Sequence, residues 1–171
     1  MAQTYRGDEN LNARELGRAG QPGMSAHDLL DDDHNRVLQL FNEYENVKST
    51  ASAAEKNRIA REICRELKIH TAIEEEIYYP RVIEKADIDD RVRAAENDHA
   101  QAKAMIREIE AASTEDASFD GRMQALHDVI RDHISDERND LFDTAEVMGI
   151  NTPEMARRLF ERKQELLHEM R

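Results

Sequence analysis

The sequence predicts an all-α protein: an antiparallel up-down-up-down four-helix bundle with an appended C-terminal helix and a flexible N-terminal tail. Three observations predict it. Charged residues make up 36% of the 171 and aromatics only 5%, with six glycines, three prolines and no tryptophan, a balance that suits long helices better than a sandwich or barrel. Apolar residues recur at spacings of three and four through four successive segments, the period of a half-buried helix. Short polar loops separate the segments, so neighbours run antiparallel without long crossovers. With 39% hydrophobic residues the chain fills one modest core.

Residues 1–23 are polar, rich in Gly, Asn and Gln, and carry no apolar stripe before the QPG turn signal, so they are expected to form a flexible tail. Ser25 followed by Asp28 resembles a capping box, and Leu30, Val37, Leu38 and Phe41 then give a first helix from about Ala26 to Val47. Ile59, Ile63, Leu67, Ile73 and Ile77 mark a second helix, expected to stop near Pro80 with Tyr79 and Pro80 closing it. The segment ADIDD turns the chain at 86–90. A third helical face, on Val92, Ala95, Ala102, Ile106 and Ile109, ends in ASTEDAS. Met123, Leu126, Ile130, Ile134 and Leu141 give a fourth. Thr152 as cap and Pro153 at the first helical position announce the fifth, whose Met155, Leu159 and Leu166 pack it on the outside of the bundle. The expected division is therefore a tail at 1–23, a bundle at 24–150 and an appended helix at 151–171.

The net charge of -13 is uneven: residues 24–150 alone carry -14. Such a surface repels nucleic acid and anionic membrane, and its carboxylates suit cations. Most of them serve only to keep helices solvated. Cys64, the one cysteine, has no internal disulfide partner and no nearby base to activate it. No apolar run reaches spanning length and the N-terminus lacks the apolar centre of a secretion signal, so a cytoplasmic protein is expected. No phosphate-binding glycine loop, nucleophile elbow or H-E-x-x-H motif is present, which removes the usual hydrolase and kinase chemistries.

Each bundle helix carries a histidine on its apolar stripe. His34 lies four residues before Leu38, His70 three after Leu67, His99 seven after Val92, and His133 seven after Leu126. A single buried histidine is more often a hydrogen-bonded core residue than a ligand. Four on four facing stripes would be costly to desolvate unless something shared them, and a metal does so. Glu74 stands four residues after His70 and Glu137 four after His133, which stacks each pair on one helix face. The halves repeat, since His34 to His70 spans 36 positions and His99 to His133 spans 34. One metal per half with the two carboxylates bridging follows, and nitrogen and oxygen donors without thiolate suit iron or manganese and tolerate zinc.

The segments DDDHNRVLQLF, HTAIEEEIYYP, ENDHAQAKAMIREIE and HISDERNDLF together resemble the hemerythrin family, in its HHE cation-binding branch, over roughly residues 25–145. The resemblance implies two non-haem irons joined by an oxo or hydroxo bridge, with His34, His70, His99 and His133 as terminal ligands and Glu74 and Glu137 bridging. O2, another diatomic or peroxide would be the small-molecule partner. Oxygen-carrying members have a further histidine where this chain has Lys103, a departure that fits sensing or redox chemistry better than carriage. Glu96, three residues before His99, is a candidate substitute ligand, and Asp31 and Glu96 are candidates to orient ligand histidines.

Tyr78, one turn past Glu74, is a candidate hydrogen-bond donor or electron relay at the metals, although core filling with a satisfied hydroxyl is the commoner role for such a tyrosine. By helical period Glu75 and Glu76 lie about 100° and 200° from Glu74 and are expected to face solvent or a seam. His27, His127 and His168 are expected to be ordinary surface or helix-end residues. Three functions remain open: an O2- or redox-responsive binding or sensing protein that signals to a partner through the tail or the C-terminal helix, a diiron enzyme acting on peroxide or nitric oxide, and an iron store.

Overall fold

The computed structural model describes residues 23–86 and 89–170, all-helical with no strand among them; the segment expected to form a tail lies outside these residues apart from Gly23. Helix α1 (Ala26–Val47) is closed by the expected capping box: Ser25 N donates to Asp28 Oδ2 (2.9 Å) and Asp28 N donates to Ser25 Oγ (3.2 Å). Helix α2 (Ala53–Ile73) starts at Ser52, whose hydroxyl accepts from Glu55 N.

The second helix does not stop at Pro80. It passes through one wide turn, π1 (Glu74–Tyr78), and continues as α3 (Tyr79–Ala86). Tyr79 N bonds Glu74 O, five residues back instead of four. That extra residue relieves the crowding a proline ring imposes on the carbonyl four positions earlier, which is why Pro80 leaves the helix intact.

Helix α4 (Asp89–Ala111) and helix α5 (Phe119–Asp136) follow, joined by the loop expected at ASTEDAS. A second wide turn, π2 (Glu137–Leu141), repeats the irregularity of π1, with Phe142 N bonding Glu137 O. It leads into α6 (Phe142–Val147), after which Gly149 takes φ +65° and ends the helix. Helix α7 (Pro153–Glu169) is capped by Thr152, whose hydroxyl accepts from Met155 N at 3.1 Å.

Helices α1 and α2 form one hairpin and α4 and α5 the other; α1 meets α5 and α2 meets α4, which closes a four-helix ring. Helix α7 lies outside it, across α1, α2 and π1. Its Met155, Leu159 and Leu166 are buried as expected, and so are Ala156 and Lys163.

The interior consists of two apolar clusters. One gathers Leu29, Leu30, Ile73, Tyr78, Val82 and Phe142 with the inner face of α7. The other gathers Val37, Phe41, Ile63, Leu67, Ile106 and Leu126. Buried polar residues of α1, α2, α4 and α5 sit between them in sequence, His34 between Leu30 and Val37, His70 between Leu67 and Ile73.

The two kinds of stabilisation separate experimentally. Ile63→Ala, deep in the second cluster, is expected to cost about 2–5 kcal/mol in chemical denaturation. Ser25→Ala, which removes only the α1 cap, is expected to cost about 1 kcal/mol.

Candidate metal centre

Six residues of the polar layer converge: His34 from α1, His70 from α2, His99 from α4, His133 from α5, and Glu74 and Glu137 from the first positions of the two wide turns. All six are buried. The imidazoles pair, with His34 Nε2 3.0 Å from His70 Nε2 and His99 Nε2 3.1 Å from His133 Nε2. Each glutamate spans the pairs. Glu74 Oε2 is 3.2 Å from His70 Nε2 and 3.3 Å from His99 Nε2. Glu137 Oε2 is 3.3 Å from His34 Nε2 and 3.5 Å from His133 Nε2.

Every Nδ1 faces a carboxylate: His34 faces Asp31 at 3.5 Å, His70 Asp33 at 3.7 Å, His99 Glu75 at 3.0 Å and His133 Asp98 at 3.6 Å. Only the His99–Glu75 contact is a hydrogen bond; the other three act through charge, which favours a proton on the near Nδ1, and the Nε2 atoms face one another in pairs. Only a proton or a cation between them makes that arrangement favourable. A spacing of 3.0 Å is what two nitrogens adopt around one ion roughly 2.1 Å from each. Among the described residues Glu74 Oε1, fully buried, has no hydrogen-bond partner, a lone pair also free for an ion. The donor set therefore fits two cations of the kind held by nitrogen and oxygen.

The electrostatics agree. Burial alone would push His34 and His99 down; the carboxylates Asp31 and Glu137 beside His34, and Glu74 and Glu75 beside His99, overcome it and hold both at about 9. Burial lowers His133 despite the nearby Glu137. Glu137 would be raised by burial but is held well below the ordinary carboxylate range by His34 and the other imidazoles. A protein site that prefers positive charge at its centre in this way binds cations in competition with protons.

His27, Tyr79, Glu75 and Glu96 differ from expectation, while Tyr78 fills the core with its hydroxyl satisfied. Tyr78 points away from the centre: its hydroxyl is 2.8 Å from His27 Nε2, and His27 stacks on Phe142 at 4.3 Å and donates its backbone N–H to Asn151. His27 is thus a packed residue, not a surface one. Tyr79, expected only to close the helix, is the tyrosine at the centre. Its hydroxyl donates to Glu137 Oε1 at 2.6 Å and lies 3.2 Å from Glu74 Oε2 and 3.3 Å from His99 Nε2. In a regular helix five residues overshoot a full turn by about 140°. In π1 the same five residues close one turn, so Tyr79 returns to the face of Glu74. In π2 the equivalent position is Phe142.

Glu75 is not solvent-side charge. It accepts from His99 Nδ1 and from Lys103 Nζ (2.6 and 2.7 Å), and His99 with Lys103 holds its carboxyl down at about 2. Lys103 therefore supports the partner of a histidine instead of occupying a ligand position. Glu96 is exposed, and Asp98 is the acid of that segment that faces a histidine. Asp31 lies 3.5 Å from His34 Nδ1 and is bonded by Arg138 Nε at 2.6 Å. Glu76 pairs with Arg162 of α7. His127 is half-buried and stacks on Phe41, and His168 is exposed. Burial pushes the Cys64 thiol up to about 12, so it is inert.

A cavity of about 210 Å³ between α4 and the α5–π2 segment reaches this centre, with Arg91, Asp98, Asp140, His133 and Glu137 in its wall. Solutes the size of a diatomic or peroxide fit it.

A buried layer of histidines and glutamates in a four-helix bundle defines a metal-binding bundle protein. The hemerythrin HHE cation binding domain matches residues 25–145, and the chain belongs to that family. A crystal structure of a hemerythrin HHE cation binding domain-containing protein from Mycobacterium kansasii has the same fold, with a TM-score of 0.68 over 86% of this chain and 92% of that one, at 20% identity. A DNA nickase of Nostoc sp. is 29% identical over 119 residues, 70% of this chain; the match spans 33% of the nickase. Among the described residues no helix is long and apolar enough to cross a membrane.

The two tyrosines can be told apart. Tyr79→Phe is expected to destabilise the metal-free protein by about 1.5–3 kcal/mol in urea unfolding, because a buried carboxylate loses a donor. Tyr78→Phe, which removes one neutral bond to His27, is expected to cost about 0.5–1.5 kcal/mol.

Proposed function

We propose that the protein is a non-haem diiron protein whose metal centre responds to O2 or to redox change. His34, His70, His99 and His133 would be terminal ligands and Glu74 and Glu137 would bridge. One observation carries this reading: each glutamate contacts one imidazole from each pair, the placement a carboxylate needs to join two ions held separately. Asp31, Asp33, Glu75 and Asp98 would orient the rings from behind. Nitrogen and oxygen donors without thiolate suit iron or manganese and tolerate zinc, and abundance and redox use favour iron. When bound, the irons supply electron exchange with O2 or a related small molecule.

The chain's own residues shape what that metal pair can do. Tyr79 keeps its hydroxyl proton, donates it in a hydrogen bond to Glu137 Oε1 and holds it within reach of Glu74. Apolar clusters pack on either side of the layer, and the cavity beside His133 admits water and other small polar solutes. The tyrosine together with the cavity favours a second reading, an enzyme acting on peroxide or nitric oxide. Nicking activity is not transferred from the Nostoc protein, since the match covers a third of it and residues 24–150 carry a charge of -14 that repels DNA.

Loading the reduced protein with iron under nitrogen should give about two irons per chain and a higher Tm than the metal-free form, because an ion that binds only the folded state stabilises it. Glu74→Ala and Glu137→Ala should each lower the uptake. On admitting air, a visible-spectrum change that reverses on deoxygenation or re-reduction supports the responsive reading. Rapid peroxide turnover that survives Tyr78→Phe and is lost in Glu74→Ala supports the enzyme. One iron or none per chain in the unmutated protein contradicts both.

A further inference from the structure

The four carboxylates behind the histidines are not equivalent. Asp31, Asp98 and Glu75 have side chains 41%, 39% and 30% exposed, so water shares in solvating them. Asp33 is 9% exposed. A carboxylate that enclosed cannot persist as an anion without a counter-charge. Asp31 and Glu75 draw theirs from the bundle, from Arg138 and Lys103. Asp33 draws its own from Lys163, itself buried, on the inner face of α7 outside the four-helix ring. Lys163 bonds Asp33 Oδ1, and Asp33 Oδ2 faces His70 Nδ1 at 3.7 Å. The preceding residue of α7, Arg162, bonds Glu76 within π1 at 2.6 Å, two positions beyond Glu74. Helix α7 thus touches the centre on two sides, behind His70 and behind the wide turn that carries Glu74.

We infer that Lys163 is a positioning residue of the metal centre, and that docking of α7 and metal occupancy are thermodynamically linked through Lys163, Asp33 and His70. This rests on the two-metal reading above. With α7 docked, Lys163 neutralises Asp33, whose carboxylate 3.7 Å behind His70 Nδ1 favours a proton there by its charge and so leaves Nε2 on the side of the ion. With α7 undocked, Asp33 loses its counter-charge and part of its cover, and water competes for the carboxylate that stands behind His70. Linkage is reciprocal, so a metal that needs His70 in place must in turn hold α7 down. The helix is then a device through which metal occupancy reaches the surface.

The test combines equilibrium metal titration with amide hydrogen exchange of the full chain, with and without ferrous iron under nitrogen, for the unmutated protein, Lys163→Met and Asp33→Asn/Lys163→Met. In the unmutated protein iron should slow exchange in α7 at least about tenfold, with α2 and α4 as internal references for global stabilisation. Lys163→Met should weaken one of the two iron equivalents by about 10–100-fold, the usual effect of removing an outer partner of a ligand, and leave the other unchanged. The double variant has no buried charge to leave unpaired. Its α7 should stay docked, iron should still protect α2 and α4, and exchange in α7 should no longer respond to iron. Two irons bound with no extra protection of α7 in the unmutated protein overturns the inference. Equal metal-dependent protection of α7 in the unmutated and double-variant proteins also overturns it, as does wild-type affinity for both irons in Lys163→Met. An unmutated protein that takes up no iron fails differently, because it overturns the reading of the centre itself.

Discussion

Two pairs of imidazole nitrogens facing each other, 3.0 and 3.1 Å apart in the middle of a helical bundle, impose the constraint on which the remaining structure depends. Such pairs are unfavourable without positive charge between them, and the surrounding residues supply negative charge to match it. Glu74 and Glu137 face the nitrogens; Asp31, Asp33, Glu75 and Asp98 stand behind the rings. The layer divides the interior into two apolar clusters, so each helix changes from apolar to polar and back along one face. The bundle is the scaffold that allows four histidines on four helices to meet at a common height.

The two wide turns are the local expression of the same demand. Both begin at a glutamate of the centre, and both shift the residue five places later onto the glutamate's face. In one half that residue is Tyr79, which adds a hydroxyl to the centre; in the other it is Phe142, which adds an apolar wall against His27. The halves are therefore similar in ligands and different in what surrounds them. The outer charges differ too: Arg138 and Lys103 come from the bundle, while Lys163 comes from the added helix.

Much of this was legible in the sequence because helical periodicity is a strong signal. The bounds of α1, the caps of α1 and α7, the four inward histidines and the two His-x-x-x-Glu pairs all follow from spacings of three, four and seven. What periodicity cannot show is a change of period. A regular helix places Tyr78 near Glu74 and turns Glu75 outward, and it makes Pro80 a stop; the wide turn reverses all three. No residue type marks such a turn, although two HxxxE units each followed by an aromatic at the fifth position after the glutamate is a signal that could be sought. Lys163 was hidden for another reason. A lysine among Arg162, Gln164 and Glu165 looks like solvated charge, and only the docking of α7 against α1 shows that it faces inward.

The central claim is that two cations sit in this layer, one per imidazole pair. Crystals of the iron-loaded protein, measured on either side of the iron absorption edge, test it most directly. The expected anomalous difference map has two peaks per chain, one at the His34 and His70 nitrogens and one at the His99 and His133 nitrogens, with Glu74 and Glu137 touching both. A single peak, or peaks only at surface carboxylates, would contradict it.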